Sequence, residues 1–575
     1  MVGVSATTER DGAAPGSSAA SRARSLRRRV PRAMAWVVRA VALLSLVSLF
    51  SRSGEQPHHR LGDALLDGTT IVVVVALAAV SLVLARALAR RKRRAWRVVL
   101  GIVAVAAVLY ARARAWEAAG LNLAVAALLV WTRGEFRAES EPSSRWLALR
   151  AGLLTAVVSL LSGLALTART APDADSWVAV RETVRGLFGF VPDLPYRRPA
   201  AGDLTSVVLT GLGVATVGVV LLIMLSPRRK PAVLEPDDER RLRDLLARHG
   251  CRDSLGYFAL RRDKSVVFSP SGKAAVAYRV VGGVTLASGD PLGDPEAWPG
   301  AIAAWLDEAD RFAWTPGVLG ASQDGATAFV RAGLDALEIG DEAVLDLTTF
   351  SLEGRERRSV RQAVSRVRRA GYTCEVGRQR DLSADQLAEV AQAADAMRDG
   401  DVERGFSMAL GRVGDPADGD VVVVRARDAD GRLVAVLSLV PWGDDGLSLD
   451  LMRRSQDSEN GTMEYLVTEL AAHARDLGVR RMSLNFAVFR SALERGGQVG
   501  AGPVLRAWRS LLLWASRWWQ IESLYRANAK YQPAWVPRMV CFARPADLPH
   551  VAVAALQAEA FVVRPSLSRW LRPRR

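Results

Sequence analysis

Cysteine and histidine are scarce in this chain of 575 residues, with three cysteines and five histidines. Cys251, Cys374 and Cys541 stand far apart and form no Cys-x-x-Cys pair, which excludes a disulfide framework and a thiolate zinc site. His58, His59, His249, His473 and His550 form no His-Glu-x-x-His, so no metal centre is expected. Acidic residues are missing from the interior of every long apolar run, which disfavours an ion-coupled pump. What the chain has is positive charge, a formal +17. That charge is uneven: the first 225 residues hold 28 Lys and Arg against 14 Asp and Glu, and the remainder holds 49 against 46. The excess therefore belongs mainly to loops between apolar runs, and is by itself poor evidence of nucleic-acid binding.

Apolar runs at Ala33 to Phe50, Thr69 to Leu88, Trp96 to Ala111, Ala118 to Trp131, Trp146 to Thr167 and Leu204 to Leu225 predict a membrane domain over residues 31–226. Most approach the roughly 17 to 25 residues that cross hydrocarbon, which gives about six helices, the short fourth run being open to a re-entrant reading. Basic clusters at Arg22 to Arg32, Arg90 to Arg94 and Arg228 to Lys230 alternate so that both ends of the domain face the cytoplasm. Residues 1–30, rich in Ala, Ser, Gly and Arg, read as a disordered basic tail rather than a cleaved signal. A short interfacial helix is expected around Val178 to Phe190. Anchor and lipid flippase are both open as roles for this region.

After Pro236 the pattern changes to short β-rich runs alternating with helices. Ser265 to Phe268, Ala274 to Val281, Val421 to Arg425 and Leu433 to Val440 read as strands. Asp237 to His249, Glu296 to Phe312, Gly354 to Ala370, Ala384 to Arg398 and Met463 to Leu477 read as helices. The fold expected is an α/β domain of two similar lobes, 236–400 and 401–575, although no motif recurs between them. Gly289 to Asp294, Gly-Asp-Pro-Leu-Gly-Asp, reads as a turn after a strand.

Several constellations could carry chemistry. The segment Gly354 to Ala370 carries Arg355, Arg357, Arg358, Arg361, Arg366, Arg368 and Arg369, with Val360, Val364 and Val367 on an apolar face. It is either a solvated surface or a platform for phosphates, and residues 501–575 add a second cationic region of 12 basic against 3 acidic side chains. In Asp450-Leu-Met-Arg453 the acid and the cation share a face on a helix but oppose each other on a strand. Asn460-Gly461 makes a turn, after which a helix begins and could aim its amide end and Glu464 at a ligand. Around Asn528 stand Tyr525, Arg526, Lys530, Tyr531, Trp535 and Arg538, with Pro533 and Pro537 expected to break a helix. Such cations suit an oxyanion or phosphate, and such aromatics suit a stacked base. Leu505 to Trp519 sets Trp and Leu on one helical face, as a membrane interface or a plain core would.

These segments, Ser351 to Tyr372, Leu449 to Leu466 and Gln520 to Arg538, resemble the catalytic domain of the phosphatidylglycerol lysyltransferases, or aminoacyl-phosphatidylglycerol synthases. The likeness extends over most of 236–575 and is nearest to the lysyltransferase part of the mycobacterial-type enzyme fused to lysyl-tRNA synthetase, without the synthetase. It implies tandem acetyltransferase-like (GNAT-like) lobes on the cytoplasmic side of a multispan cell-membrane domain. The implied reaction moves an amino acid, lysine foremost, from aminoacyl-tRNA to the glycerol hydroxyl of phosphatidylglycerol, with no ATP, CoA or metal required. It would lower negative surface charge and confer resistance to cationic peptides. Asp450, Arg453 and Lys530 match the family's pocket residues. Arg358, Arg361, Glu375, Asn460, Glu464, Tyr525, Arg526 and Arg538 are the candidate substrate contacts. A separate enzyme would then supply the charged tRNA, and a homo-oligomer is compatible. Competing readings are a tRNA-dependent aminoacyltransferase acting on another lipid or a peptidoglycan precursor, and a non-catalytic lipid- or tRNA-binding membrane protein. An ordinary acyl-CoA N-acyltransferase would need a Q/R-x-x-G-x-G/A turn, for which only the off-pattern Arg495-Gly-Gly-Gln-Val-Gly is present.

Overall fold

The structure, a computed structural model, describes residues 33–40, 80–81, 83–85, 87–89, 91–112, 116–136, 144–190, 194–196, 199–224, 233–398, 405–488 and 526–562. The chain divides into two compact units, the first of Met1–Arg229 with Asp310–Trp314 and the second of Lys230–Ala309 with Thr315–Arg575.

In the first unit the described helices include α1 (Arg93–Arg112), α2 (Trp116–Trp131), α3 (Ser144–Thr170), α4 (Ser176–Leu187) and α5 (Pro199–Met224). Among the described residues two helices, Trp146–Thr170 and Ala201–Met224, are long and apolar enough to cross a membrane. They account for the fifth and sixth expected spans. The third and fourth runs form α1 and α2, and the first two runs lie largely outside the described residues. Leu153, Leu154, Leu161 and Leu222 are exposed on α3 and α5, as lipid-facing positions are. Small hydroxyls pair between the helices, Ser159 of α3 with Thr216 of α5 at 3.0 Å and Thr167 of α3 with Thr183 of α4 at 3.3 Å, which permits close helix approach. The short helix expected near 178–190 is α4, capped by the Asp175 carboxylate accepting the Trp177 amide.

The second unit is built on one 12-stranded sheet. Its strands are β1 (Ser265–Phe268), β2 (Ala274–Val281), β3 (Val284–Ser288), β4 (Leu292–Gly293), β5 (Thr315–Ala321) and β6 (Asp335–Asp346). They continue as β7 (Thr373–Arg378), β8 (Val422–Arg427), β9 (Leu433–Trp442), β10 (Gly446–Arg454), β11 (Arg481–Val488) and β12 (Ala534–Phe542). The order across the sheet is β1-β2-β3-β5-β12-β6-β11-β10-β9-β8-β7, with β4 beside β2. Two strands are therefore exchanged between the lobes. β12, last in the chain, lies between β5 and β6 of the first half, and β6 in turn pairs with β11 of the second.

The division expected at 400/401 does not match this sheet. β7 precedes it in sequence yet pairs along its whole length with β8, so the second half begins with the basic helix that leads into β7. Pro537, expected to stop a helix, sits inside β12 instead. Pro537 is paired with Asp341 of β6 on one side, while on the other the β5 ladder starts only at Met539, so that side of the strand has no ladder partner at this position for a proline to lose.

Helices cover both faces of the second half. α9 (Arg358–Arg369) buries Val360, Val364 and Val367, spaced four and three apart, while its arginines stay outside. Each such valine adds about 1.5–3 kcal/mol of apolar burial, enough to seat a helix with so many like charges. It packs with α11 (Thr462–Ala472) over Val424, Leu437, Leu449 and Leu484. Gly461, the residue before α11, has φ +106°, and a Cβ there would stand 2.8 Å from the Cβ of Ala363. Only glycine lets the start of α11 approach α9 this closely. The opposite face carries Val423, Val436 and Leu451 under α6 (Pro236–His249), α10 (Ala384–Ala396) and Leu410. A capping box between Ser383 and Gln386 starts α10. The remaining described helices are α7 (Trp298–Phe312), α8 (Gln323–Arg331) and α12 (Leu548–Ala558).

Candidate active site

The sheet has a gap at its centre. β10 pairs in parallel with β11 only from Gly446–Arg481 to Ser448–Ser483, although β10 runs on to Arg454 and β11 to Val488. Past that point β10 stays on β9 and β11 stays on β6, so the two halves of the sheet part as a wedge. Among the described residues, backbone that leaves the β10–β11 ladder at such an opening can meet a ligand instead of a neighbouring strand.

Asp450 and Arg453 lie on the β10 side of the wedge. They stand on a strand, where three-apart residues would oppose each other, but a bulge between Leu449 and Leu451 shifts the alternation by one. Both consequently reach the same face. The Asp450 carboxylate accepts the Leu410 amide at 2.6 Å and a longer bond from the Ser438 hydroxyl at 3.4 Å. Arg453 donates to the carbonyl oxygen of Ala394 in α10, and Leu410 and Ala394 belong to one apolar cluster.

Lys530 belongs to the other face. Its ammonium lies 2.5 Å from the Glu464 carboxylate in the first turn of α11, both side chains about three-quarters buried. Tyr531 beside it is buried in the α9–α11 core, where burial and the nearby Glu464 charge hold its phenol far above the usual range. Outside that core the cations of α9 are exposed. Arg361 donates to the carbonyls of Leu352 and Gly354, Arg366 to that of Asn460 at 3.4 Å, and Arg368 pairs with Glu469 at 2.7 Å. Arg358 and Asn460 are likewise exposed, and Arg526 lies in a helical stretch described over 526–529. Glu375, on β7, pairs at 2.6 Å with the buried Arg425 of β8. Tyr525 and the segment Leu505 to Trp519 lie outside the described residues.

Arg538, expected as a substrate contact, requires correction. It is 2% exposed and spends its guanidinium inside the protein. It bonds Glu342 at 2.5 Å, Ser254 at 2.6 Å, Asp253 at 2.7 Å and the Gly320 carbonyl at 3.1 Å. The hydroxyls of Ser254 and Ser483 both donate to Glu342, and Ser448 donates to the Ser254 carbonyl at 2.7 Å. Since Ser448 and Ser483 are the last paired residues of β10 and β11, this cluster clamps the apex of the wedge. A basic residue in a cationic, aromatic segment reads as a surface contact; nothing in the sequence marks Asp253 or Glu342 as its buried partners.

The Gly289 to Asp294 turn adjoins the same cluster. Gly289 has φ +68°, and Asp290 is buried, accepting the Ser322 amide at 2.8 Å while its own amide donates to Asp253 at 2.9 Å. Burial and the neighbouring Asp253 raise the Asp290 carboxyl to about 7, against the pull of Ser322 and Arg538. Between roughly pH 4 and 7 the folded protein keeps a proton there that the unfolded chain releases, so this contribution to stability is complete at low pH and is lost as pH rises through the window. Asp290→Asn should therefore gain thermal midpoint relative to the parent as pH climbs from 4 to 7. A constant difference between the two proteins across that range contradicts the assignment.

Two families match different parts of the chain. The phosphatidylglycerol lysyltransferase C-terminal family matches residues 243–542, and the transmembrane region of lysyl-tRNA synthetase matches residues 26–173. A lysylphosphatidylglycerol biosynthesis bifunctional protein from Mycobacterium avium is 46% identical over 569 residues, covering 95% of this chain and 48% of its own length. Its counterpart from Mycolicibacterium vanbaalenii is 44% identical, covering 97% and 52% respectively. The chain thus spans about half the length of the curated relatives it matches. Among solved structures, L-PGS from Bacillus licheniformis aligns over 58% of this chain and 98% of that one, at 22% identity and a TM-score of 0.49.

Proposed function

We propose, since this chain belongs to the phosphatidylglycerol lysyltransferase C-terminal family and carries a transmembrane region, that it transfers lysine from lysyl-tRNA to the glycerol hydroxyl of phosphatidylglycerol. The observation that carries this reading is the wedge in the sheet. It falls within the matched span, with Asp450 and Arg453 on one face and the Lys530–Glu464 pair on the other. Two substrates that approach from opposite faces could meet in such an opening.

The reaction is a transesterification. The lipid hydroxyl oxygen attacks the carbonyl carbon that joins the amino acid to the tRNA ribose. The carbon–oxygen bond to the ribose then breaks, and the proton of the lipid hydroxyl ends on the ribose oxygen. The ester is already activated, so the protein's task is to orient the reactants and stabilise charge. Asp450, held by the Leu410 amide, would bind the ammonium of the transferred amino acid. Arg453 would meet the lipid phosphate, and Lys530 the oxyanion, exchanging Glu464 for the developing charge. The exposed arginines of α9, Arg358, Arg366 and Arg369, suit the tRNA backbone, whose phosphates demand cations rather than sequence readout. The soluble unit would then face the cytoplasm below a multi-pass membrane domain. Replacing an anionic headgroup by a lysinylated, net cationic one weakens attraction of cationic peptides.

The test is mass spectrometry of phospholipids from a host without aminoacylated lipids that expresses this chain. A phosphatidylglycerol species heavier by one lysine residue supports the reading. Another added amino acid corrects the donor, a different modified lipid corrects the acceptor, and unchanged lipids with well-inserted protein refute it.

A further inference from the structure

Residues 405–410, Gly-Phe-Ser-Met-Ala-Leu, form a strap that joins two apolar clusters, Phe406 in one and Leu410 in the other, and whose last amide is the Leu410 donor to Asp450. Its first residues are gripped from far along the chain. Glu559, just past α12, accepts the amide of Phe406 at 2.7 Å, the amide of Ser407 at 3.0 Å and the Ser407 hydroxyl at 2.5 Å. Phe406 and Ser407 are fully buried and Glu559 is 9% exposed, so water cannot easily replace these bonds. Two basic side chains lie near the Phe406 ring, Lys264 4.5 Å and Arg279 5.0 Å from its centre. Arg279 also donates to the Ala558 carbonyl at 2.8 Å, which ties the end of α12 to the same place. Arg261 holds the Ala409 carbonyl at 2.8 Å. The strap is thus fixed at three points, and only the last belongs to the proposed site.

We infer that Glu559 is a positioning residue: through the strap it sets the Leu410 amide, and through that amide the orientation of the Asp450 carboxylate. The inference rests on the Asp450 role proposed above. A carboxylate offers the acceptors that three donors need, whereas glutamine offers one acceptor oxygen and turns an N–H toward donors. Glu559→Gln is therefore a near-isosteric change that should release the strap without emptying space. A shift of the carboxylate by about 1 Å at a site of this kind costs on the order of 100-fold in rate.

The experiment is a four-protein cycle on the full chain in phosphatidylglycerol vesicles: parent, Glu559→Gln, Asp450→Asn and the double variant. Transfer from lysyl-tRNA and hydrogen exchange across residues 405–410 are both read. Glu559→Gln is expected to lower kcat/KM by about 100-fold, mainly through a higher KM for lysyl-tRNA, and to speed exchange in the strap. In the Asp450→Asn background it should cost nothing further, because its effect passes through that carboxylate. Losses that multiply in the double variant, or parent-like transfer by Glu559→Gln, overturn the inference. If Asp450→Asn alone transfers like the parent, the proposed role of Asp450 fails and this inference falls with it. Faster strap exchange in Glu559→Gln would then locate the error in that role rather than in the coupling. Should Glu559→Gln fail to fold, Ser407→Ala removes one donor and is expected to lose about fivefold, again only when Asp450 is present.

Discussion

Arg538→Ala is expected to lower the thermal unfolding midpoint of the second unit by on the order of 10 °C. The guanidinium is the cation that balances Asp253 and Glu342 in a region closed to water. Removing one partner of such a group leaves the other charges buried without compensation, a cost of roughly 3–5 kcal/mol. For a domain of this size each kcal/mol moves the midpoint by about 2–4 °C. Arg538→Lys should fall between the two, since a lysine keeps the charge but cannot reproduce the fork that reaches Glu342, Ser254 and Asp253 together. The damage should also reach activity, because the same cluster closes the apex of the wedge through Ser448 and Ser483. Calorimetry of the full chain in detergent reads the stability directly. A midpoint within 1–2 °C of the parent's, equivalent to less than about 1 kcal/mol, would mean that the cluster does not hold the sheet.

Lys530→Ala is expected to abolish most transfer, by roughly 10²–10³ in kcat, with little change in midpoint. Each side chain of the Lys530–Glu464 pair, although about three-quarters buried, keeps contact with solvent, so the pairing is of modest worth to folding and stability and activity should separate at this position. Lys530→Arg should retain part of the activity because it keeps a cation at the same place, though with a broader fork. Glu464→Gln distinguishes two roles for the carboxylate. If Glu464 only holds Lys530 in the free protein, the loss should be small; if it receives the substrate's amine, the loss should appear in KM. Rates are read as labelled lysine recovered with extracted lipid. A Lys530→Ala protein that transfers at the parent rate removes Lys530 from the chemistry.

Much of this arrangement was readable in the sequence wherever local periodicity governs. β1 and β2 follow from β-branched runs bounded by turns, and α9 follows from valines spaced to one face among arginines. The turn at Asn460-Gly461 and the helix after it also follow from local chemistry, as a left-handed glycine ahead of α11. What local rules could not supply was pairing between distant strands. The placement of β12 between β5 and β6 joins residues some 200 positions apart, and no periodicity reports it. Arg538 was misread for that reason: its partners arrive from β6 and from the loop at 253–254. The shared face of Asp450 and Arg453 was likewise hidden, because a bulge leaves no mark in a two-residue alternation. Glu559, one of three acids in the cationic region 501–575, carries no signal in the sequence and became informative only beside the strap it holds.

The most direct test of the transfer reaction uses the full chain reconstituted in vesicles with lysyl-tRNA labelled on the amino acid. With phosphatidylglycerol vesicles the label should pass into the organic phase as a lysine ester of that lipid, and with phosphatidylethanolamine alone it should not. Label that stays on tRNA, or is released as free lysine at one rate with either lipid, would contradict the proposed function.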